Sequence, residues 1–496
     1  MKNRVKLSAG DLDFFRMVAR AAFSNPFSFE RHEYDRRIVG ASEKSTRNAV
    51  LNQLLRQLQE RVSTLGAANL HGTGRRVNIA LYSNPDREVL LTSVLFMLFH
   101  QYTKQFDVLI HEQLEAGGEP RRAVFTGEVF GKMLSYGLDR AEACRYVSMF
   151  FQIRRAYHFI SKGLTGRSHC MRQLRKRLWD NIFTHDIRWY LSCLWNRTED
   201  FSTLLLGKTG TGKGAAAAAI GRSGFIPFDP GTECFKESFI SAFVSINLSQ
   251  YPETLIESEL FGHRKGAFTG AIDDHEGVFA QCSPHGAIFL DEIGDVSIPV
   301  QIKLLQVLQE RTFAPVGGHA PRRFEGRVIA ATNKSLSALR RAGEFRDDFF
   351  YRLCSDQITL PTLQQRIQED PRELEMLVDH ILERHFGEYG TEMKGKVMSL
   401  LGDARMRGYA WPGNVRELEQ AVRRILLSGT YEIDMSTTAS GGEDDFVAAI
   451  EAGMLTADQL ISRYCLRIYK RHGTYEEVAR RTDLNWRTVK KHIENA

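Results

Sequence analysis

TLLLGKTGTGKGAAAAAI, residues 203–220, is the stretch that decides the fold. An apolar strand pattern runs into a glycine-rich turn, and an alanine-rich helix pattern follows. Glycines let backbone N–H groups turn inward around phosphate oxygens, and the N-terminus of the following helix adds partial positive charge. The pattern predicts a phosphate-binding loop, although an ordinary glycine-rich turn is the alternative. The loop would consist of Gly207, Lys208, Thr209, Gly210, Thr211, Gly212, Lys213 and Gly214.

Two carboxylates follow the apolar stretch AIFL at residues 287–290. Side chains alternate along a strand, so Asp291 and Glu292 are expected to point in different directions. We expect Asp291 to hold the shell of a Mg²⁺ ion through water, and Glu292 to orient and deprotonate an attacking water. A hydrophobic strand that ends in Asp-Glu also occurs by chance. Gly214 lacks the hydroxyl that usually follows the loop lysine, so the metal would depend on phosphate oxygens, water and Asp291.

The pattern around both motifs alternates short apolar strands with helices. Strands are predicted at 202–206, 243–247, 287–290 and 327–331. Such alternation is typical of an α/β fold with a parallel sheet and crossover helices. We therefore predict an α/β ATPase subdomain over residues 163–360, beginning at the turn Gly163–Gly166. Residues 361–432 are helix-patterned and are predicted to form a helical lid on it.

Residues 1–162 are predicted to form a mostly helical domain with a few strands. Apolar residues keep helical spacing over 51–65, 89–102 and 146–160. Strands are predicted at Arg76–Tyr82 and Phe106–Ile110, the second ending at the turn Gly117–Gly118. The domain contains no catalytic motif. Its histidines His100, His111 and His158 are isolated, as packed or surface histidines are, rather than clustered as metal ligands are.

Charge and cysteine usage bound the class of protein. The net charge of the 496 residues is only +6, but residues 461–496 contain nine lysines or arginines and four acids. The seven cysteines are scattered and form no CxxC pair, which favours reduced thiols in a cytosolic protein. The N-terminus lacks the pattern of a signal peptide, and the most apolar stretch, 89–99, is too short to cross a bilayer. We expect a cytoplasmic location and no membrane partner.

The basic C-terminus, residues 453–496, resembles a helix-turn-helix DNA-binding domain. Thr474–Glu477 has a capping-box pattern, Asp483–Asn485 a turn pattern, and 486–493 a basic helix pattern with Val489 and Ile493 expected to be buried. A solvated basic helical hairpin is the alternative. A polar linker is predicted at 433–452. Candidates for contact with the DNA groove are Arg487, Thr488, Lys491 and His492, and candidates for phosphate contact are Arg481 and Lys490.

Gly266–Ala271 reads GAFTGA and lies within PETLIESELFGHRKGAFTGA, residues 252–271. FLDEIGD at 289–295 and WPGNVRELE at 411–419 accompany it. With these motifs the chain resembles the sigma-54-dependent transcriptional activators, a branch of the AAA+ ATPases, over residues 163–427. The alternative for the loop is a glycine-bounded surface loop without a contact function.

The resemblance implies rings, usually hexamers, with ATP between neighbouring subunits. In such rings a projecting loop contacts the sigma-54 factor, here through Gly266, Ala267, Phe268, Thr269, Gly270 and Ala271. Asn247 would hydrogen-bond the catalytic glutamate, and Asn333 would lie at the sensor position beside the γ-phosphate. Arg346 and Arg352 would be arginine fingers, or else surface ion pairs with Asp347 or Asp348. Arg416 would touch nucleotide from the lid.

The resemblance also implies that residues 1–162 receive a signal and that the C-terminus is a Fis-type reader working as a dimer on enhancer DNA. The expected function is ATP-driven remodelling of the sigma-54 RNA polymerase closed complex into an open complex. Gly214 and the segment QQRIQED after Leu363 depart from the family pattern. Two alternatives stay open: an AAA+ remodeller of proteins or DNA unrelated to transcription, and a DNA-binding regulator with a weak or inactive ATPase.

Overall fold

The structure of the protein is a computed structural model, which describes residues 5–68, 77–387, 390–402, 409–431, 450 and 455–494. The chain divides into two compact units, Met1–Thr430 and Tyr431–Ala496. The predicted linker at 433–452 falls outside the described residues except for Ile450.

The described residues up to Gly163 are helical and pack around one apolar core in which Phe15, Leu54 and Phe106 are fully buried. The three helices predicted there are confirmed. The helices are α1 (Ala9–Phe23), α2 (Phe29–Val39), α3 (Arg47–Ala68), α4 (Asp86–Gln101), α5 (Thr103–Ala116), α6 (Phe125–Ser135) and α7 (Arg140–Gly163).

Both strands predicted in this region are wrong. Phe106–Ile110 lies inside α5, where Phe106, Leu109 and Ile110 are buried and Val108 is exposed. Spacings of three and four residues on one face are those of a helix, not of a strand. In the segment Arg76–Tyr82, the described part from Val77 contains a 3₁₀ turn at Ile79–Leu81, which Asn78 caps. Tyr82 makes only an isolated bridge to Val5.

A five-stranded parallel sheet of order β4-β5-β8-β1-β9 forms the centre of the next region. All four predicted strands are confirmed, and a fifth, β9, completes the sheet. Parallel strands end at the same edge, so this order brings the carboxyl ends of β1, β5 and β8 side by side. The strands are β1 (Thr203–Leu206), β4 (Phe243–Asn247), β5 (Ala287–Asp291), β8 (Arg327–Thr332) and β9 (Asp356–Thr359).

Helices cover the sheet, and two short antiparallel hairpins extend from it. The hairpins are β2 (Phe228–Asp229) with β3 (Cys234–Phe235), and β6 (Thr312–Phe313) with β7 (Arg322–Arg323). The helices are α8 (His169–Phe183), α9 (Ile187–Trp189), α10 (Lys213–Gly221), α11 (Glu253–Phe261), α12 (Val278–Gln281), α13 (Ile298–Glu310), α14 (Leu336–Arg341) and α15 (Asp347–Leu353). This arrangement confirms an α/β fold with a P-loop parallel sheet.

Four helices follow the sheet and form the predicted helical lid. They are α16 (Leu363–Glu369), α17 (Arg372–Phe386), α18 (Gly390–Leu401) and α19 (Asn414–Ser428). In the second unit, residues 455–494 contain α20 (Ala457–His472), α21 (Tyr475–Thr482) and α22 (Trp486–Glu494) around Cys465, Val478 and Val489. All seven cysteines are free thiols. Within the described residues, no helix is both long and apolar enough to cross a membrane.

Candidate functional site

The phosphate loop joins β1 to α10, and α10 begins at Lys213 itself. Gly210 and Gly212 have φ angles of +77° and +99°, a region that glycine enters without strain. No side chain caps the start of α10, so its first N–H groups remain available to an anion. The Lys213 ammonium is buried and donates to the Gly207 carbonyl oxygen at 3.0 Å. The result is an anion-binding loop with a fixed cation.

The two predicted carboxylates lie beside this loop at the end of β5. Glu292 has a φ of +56°, uncommon for a residue with a side chain, and its N–H donates to Asp291 Oδ1 at 3.0 Å. Glu292 Oε1 lies 3.9 Å from Lys213 Nζ. The left-handed backbone therefore turns Glu292 away from the strand and toward the phosphate loop, as the expected division of roles between the two acids requires.

Asn333, immediately after β8, connects the acid to the loop. Its N–H donates to Glu292 Oε2 at 3.2 Å, and its side-chain Nδ2 donates to Thr209 Oγ1 at 2.9 Å. A change at the phosphate loop can thus reach Glu292 through one residue.

The surroundings of Asp291 fit a magnesium ion. Burial raises the pKa of this carboxyl, while the Glu292 N–H and the charges of Lys213 and Arg416 oppose that shift. The described residues contain no cluster of three or more His, Cys, Asp or Glu side chains that could enclose a metal. Magnesium is commonly held by one or two carboxylates, water and substrate phosphates, and a single half-buried Asp beside a phosphate loop matches that chemistry.

The lid reaches the phosphate loop directly. Asn414 is buried, and its Nδ2 donates to the Thr209 carbonyl oxygen at 2.9 Å, while the Val415 N–H donates to Gly210 O at 3.1 Å. A Cβ on Gly210 would collide with the Gly413 carbonyl oxygen and lie 3.0 Å from Arg416 Cβ. The lid arginine Arg416 is therefore next to the loop, as the resemblance implied.

The two candidate arginine fingers belong to or precede α15 and do not contact the phosphate loop of their own chain. Arg346 makes a two-bond ion pair with Asp348, at 3.0 and 2.7 Å, which is the alternative raised from the sequence. Arg352 Nε donates to the Leu308 carbonyl oxygen at 2.9 Å. Both arginines are at least partly accessible, so a neighbouring subunit could meet them.

The predicted hydrogen bond between Asn247 and the catalytic glutamate is not made in this structure. Asn247 Oδ1 instead accepts from the N–H of Ser249 at 3.0 Å and from its hydroxyl at 2.8 Å, which caps a 3₁₀ turn. Asn247 is the register partner of Asp291 across β4 and β5. A local Asx cap satisfies the amide, which explains why it does not reach Glu292.

The GAFTGA loop is an exposed, closed turn. Gly266 N–H donates to the Ala271 carbonyl oxygen at 2.8 Å, and Ala271 N–H to that of Phe268 at 3.0 Å. His263 and His275 exchange two backbone hydrogen bonds, of 3.0 and 2.9 Å, that close its base. Phe268 and Thr269 are exposed at the tip, whereas Ala271 is buried.

A second loop supports the first. The backbone N–H of Arg264 donates to Val316 O at 3.0 Å, and Val316 N–H donates to Gly262 O at 2.9 Å. A Cβ on Gly317 would lie 2.7 Å from Ala267 Cβ. The loop between β6 and β7 therefore braces the GAFTGA loop and leaves its aromatic tip accessible.

The C-terminal unit forms the helix, turn and helix expected from the sequence. Thr474 precedes α21 but makes no side-chain capping bond, so the predicted capping box is not formed. Val489 is fully buried, as predicted, whereas Ile493 is only partly buried. Four of the six candidate DNA-contact residues expose their side chains on or beside α22: Arg487, Thr488, Lys490 and Lys491.

The remaining two candidates are engaged within the unit. His492 Nδ1 lies 2.9 Å from the Ser462 hydroxyl of α20, and its side chain is 14% exposed. In this structure His492 thus faces α20, and its contact with the DNA groove stays a prediction. Arg481 pairs with Glu477 at 2.8 Å, and Arg480 shares the same acid.

Comparison with known families agrees with this geometry. Residues 194–359 match the family described as Sigma-54 interaction domain, and residues 368–437 match the AAA+ ATPase lid domain. The chain belongs to the sigma-54-dependent transcriptional activators. Its sigma-54 interaction domain thus contains both the phosphate loop and the GAFTGA loop, and its AAA+ lid contains Arg416.

Relatives of this chain match about half of its length. It is 41% identical over 234 residues to "DNA-binding transcriptional regulator NtrC" of Azospirillum brasilense (47% of this chain, 44% of that one). It is 37% identical over 240 residues to "Uncharacterized protein in HyuA 5'region" of Pseudomonas sp. (strain NS671), covering 48% and 74%. A crystal structure of NtrX from Brucella abortus with ADP is 19% identical with a TM-score of 0.41, covering 72% and 76%. The chain spans less than half the length of the NtrC relative.

Sequence reasoning missed the residues that join the activator's lid to the rest of the ATPase. Asn414 lies in the motif WPGNVRELE, and nothing in that motif marks it as a contact to the phosphate loop. The Arg366–Glu373 pair, at 2.8 Å and almost fully buried, also went unnoticed. Glu373 accepts from the N–H groups of Arg167 and Ser168, so it ties α17 to the segment before α8. In the sequence, Arg366 and Glu373 look like ordinary charged surface residues of a helix, so their burial could not be predicted.

Proposed function

We propose that this activator binds enhancer DNA and uses ATP hydrolysis in an oligomeric ring to convert the sigma-54 RNA polymerase closed complex into an open complex. The observation that carries the proposal is the presence, in one domain, of a phosphate loop with its acid and of an exposed aromatic loop at 266–271. An AAA+ remodeller with another target would have no need of that loop.

For hydrolysis, the glycine-rich loop and Lys213 bind the β- and γ-phosphates of ATP. Asp291 would hold Mg²⁺ through water, and the bound ion would add neutralising charge at the phosphates. Glu292 orients the attacking water and takes its proton. Support comes from the position of both groups at the phosphate loop: Glu292 Oε1 lies 3.9 Å from Lys213 Nζ, so the acid and the cation face the same phosphate-binding space.

Ring assembly completes the site. Arg346 and Arg352 lie away from their own phosphate loop, so we assign them to the nucleotide of the neighbouring subunit, where they stabilise charge in the transition state. Arg346 must exchange Asp348 for a phosphate, and it can do so because an ion pair on the exposed surface adds little stability. Hydrolysis then depends on oligomerisation.

Nucleotide state reaches the GAFTGA loop over a short path. Asn333 joins Glu292 to Thr209, and Asp291 is the register partner of Asn247. From Asn247 the chain passes through one 3₁₀ turn into α11, and α11 ends five residues before Gly266. We propose that loss of the γ-phosphate releases Asn247 from its local cap and moves α11. This movement shifts the GAFTGA loop, whose residues Phe268 and Thr269 contact sigma-54.

The remaining domains supply targeting and input. Residues 453–496 bind DNA as a dimer through Arg487, Thr488 and Lys491 in the groove and Lys490 and Arg481 at phosphates. Residues 1–162 receive the signal, residues 163–360 and 361–432 form the two ATPase subdomains, and 433–452 link them to the DNA reader. Exposed cationic side chains on α22 support the DNA assignment.

Open-complex formation on a sigma-54 promoter, measured by permanganate footprinting with purified polymerase, tests the proposal. The wild type with ATP is expected to melt the promoter, whereas the wild type with ADP should leave it closed. Phe268→Ala removes the aromatic ring from the loop tip but leaves the phosphate loop intact. This variant should hydrolyse ATP without melting the promoter. Promoter opening by this variant at the wild-type rate would refute the proposal.

A further inference from the structure

Arg155 of α7 is the largest fully buried side chain of the described residues, and it contacts the ATPase. Its two terminal nitrogens donate to the carbonyl oxygens of Arg222 at 2.7 Å and Gly224 at 2.8 Å. Within the described chain the guanidinium has no carboxylate partner at ion-pair distance. Burial lowers the pKa of Arg155 to about 9, which leaves it protonated at neutral pH.

The carbonyl oxygen of Ser223, between Arg222 and Gly224, is bound by Gln152, which lies one turn earlier in α7. Gln152 Nε2 donates to Ser223 O at 2.8 Å and to the Tyr190 hydroxyl at 2.6 Å. Residues 222–224 directly follow α10, so three consecutive carbonyls at its C-terminal end are held from α7. A cation at this end also complements the helix dipole, whose other end meets the phosphates.

Helices α7 and α10 also share a buried apolar contact. Ala156 and Ile160 of α7 are buried in the same cluster as Ala216, Ala217 and Ile220 of α10. These three are among the buried residues of the helix that begins at Lys213. The helix after the phosphate loop therefore packs against the N-terminal region on its side as well as at its end.

The segment after α10 continues this interface. Phe151 of α7 stacks on Phe235 with a ring separation of 4.2 Å, and the Ser148 hydroxyl accepts from Phe228 N–H at 2.8 Å. Ala123 N–H donates to Glu233 O at 2.8 Å. The β2–β3 hairpin of the ATPase is thus part of the N-terminal core. The N-terminal region and the ATPase therefore share a hydrophobic core.

We propose that α7 is a working part of the ATPase, with Arg155 and Gln152 as positioning residues that set the placement of α10 and, through it, of Lys213. A signal in residues 1–162 acts by shifting α7 along this contact. The proposal rests on the proposed ATP-dependent function. It identifies the route of regulation, because α10 is short. Its nine residues span about 13 Å between the carbonyl groups that Arg155 binds and the phosphate site.

Substitution of Arg155 in the full chain, with ATP turnover measured as kcat and KM, tests the positioning role. Arg155→Met keeps the length and removes the donors, and we expect KM for ATP to rise at least fivefold. Arg155→Lys restores one donor and should recover part of that change. The control is Arg154→Met, because Arg154 pairs with Asp107 of α5 inside the N-terminal region, and its KM should stay near the wild-type value.

Hydrogen exchange of the wild type decides the question even where Arg155→Met does not fold. With a non-hydrolysable ATP analogue and Mg²⁺, we expect slower exchange of amides at 148–160 in addition to those of the phosphate loop, because coupling between two sites is reciprocal. Protection confined to 207–221, or an Arg155→Met variant with the KM of Arg154→Met, overturns the inference alone. A wild type that binds no ATP overturns the proposed function together with it.

Discussion

Two glycine-bounded loops of the sigma-54 interaction domain have the same kind of backbone for different physical reasons. Gly210 in the phosphate loop and Gly266 in the GAFTGA loop both have positive φ, +77° and +79°. A Cβ on Gly210 would collide with the lid backbone at Gly413, whereas a Cβ on Gly266 or Gly270 would meet nothing within 4 Å. Gly210 is therefore required by packing as well as by conformation, whereas Gly266 and Gly270 are required by conformation alone.

This difference matches two requirements: the phosphate loop must keep a fixed geometry, whereas the GAFTGA loop must remain accessible. The phosphate loop is bound by β1, α10, Asn333 and the lid, so its geometry depends on the whole ATPase. The GAFTGA loop is held at its base by His263 and His275 and exposes its tip. Changes in the phosphate loop should therefore alter ATP turnover, and changes in the GAFTGA loop should not.

The most severe effect is expected for Lys213→Ala, because ATP binding precedes every later step. Removing a buried cation that binds phosphate deletes charge-assisted hydrogen bonds of about 1.5–3 kcal/mol each. We expect ATP affinity, measured by calorimetry, to fall at least about 100-fold. Lys208→Ala removes the same charge from the exposed side of the loop and should weaken binding far less. Equal affinities for the two variants would contradict the role of Lys213.

Glu292→Gln should retain ATP binding but lose hydrolysis. The amide keeps the shape and can still accept from Asn333 N–H, but it cannot take a proton from water. A general base contributes about 10²–10⁴-fold, so phosphate release should fall by roughly that factor. Near-normal release, measured in a coupled phosphate assay at saturating ATP, would reject Glu292 as the base.

Gly210→Ala should have a smaller effect, through packing. The added methyl group must displace the lid backbone, and overpacking of this kind costs about 1–3 kcal/mol. We expect turnover to fall about tenfold and the midpoint of thermal unfolding to decrease. Gly266→Ala is the matched control: it carries the same backbone strain without a collision, and its turnover should remain close to that of the wild type.

The smallest effect on turnover is predicted for Thr269→Ala. The side chain is exposed at the loop tip, so removing its hydroxyl should change ATP hydrolysis by less than about twofold, as surface substitutions usually do. Promoter opening by the same preparation should nevertheless be lost. A variant that hydrolyses ATP and opens the promoter normally would remove the loop from the mechanism.

The sequence allowed the parts of the site with local signatures to be predicted. The phosphate loop, the strand ending in Asp291 and the helix-turn-helix each occupy one continuous stretch, and the structure confirms their secondary structure. Phe106–Ile110 failed because a short apolar run fits a strand as well as a helix when only five residues are considered. Its burial in α5 became clear only from the spacing of Phe106, Leu109 and Ile110.

Contacts between distant residues could not be predicted from one sequence. Arg155 meets carbonyl oxygens 67 and 69 positions later in the chain, and backbone acceptors leave no trace in residue identity. Asn247 and His492 were assigned by resemblance or by helix position, but in the structure they bond to Ser249, two residues away, and to Ser462 of another helix. Polar side chains that have a nearby alternative partner are therefore the least certain assignments.

The affinity of the purified activator for sigma-54, measured in three nucleotide states, tests the central claim most directly. With Mg²⁺, we predict weak binding without nucleotide and with ADP, and binding at least about tenfold tighter, or 1.4 kcal/mol, with ADP–aluminium fluoride, which imitates the transferring phosphate. Thr269→Ala should abolish the difference. The same affinity in all three states would contradict the claim that the phosphate site controls the projecting loop.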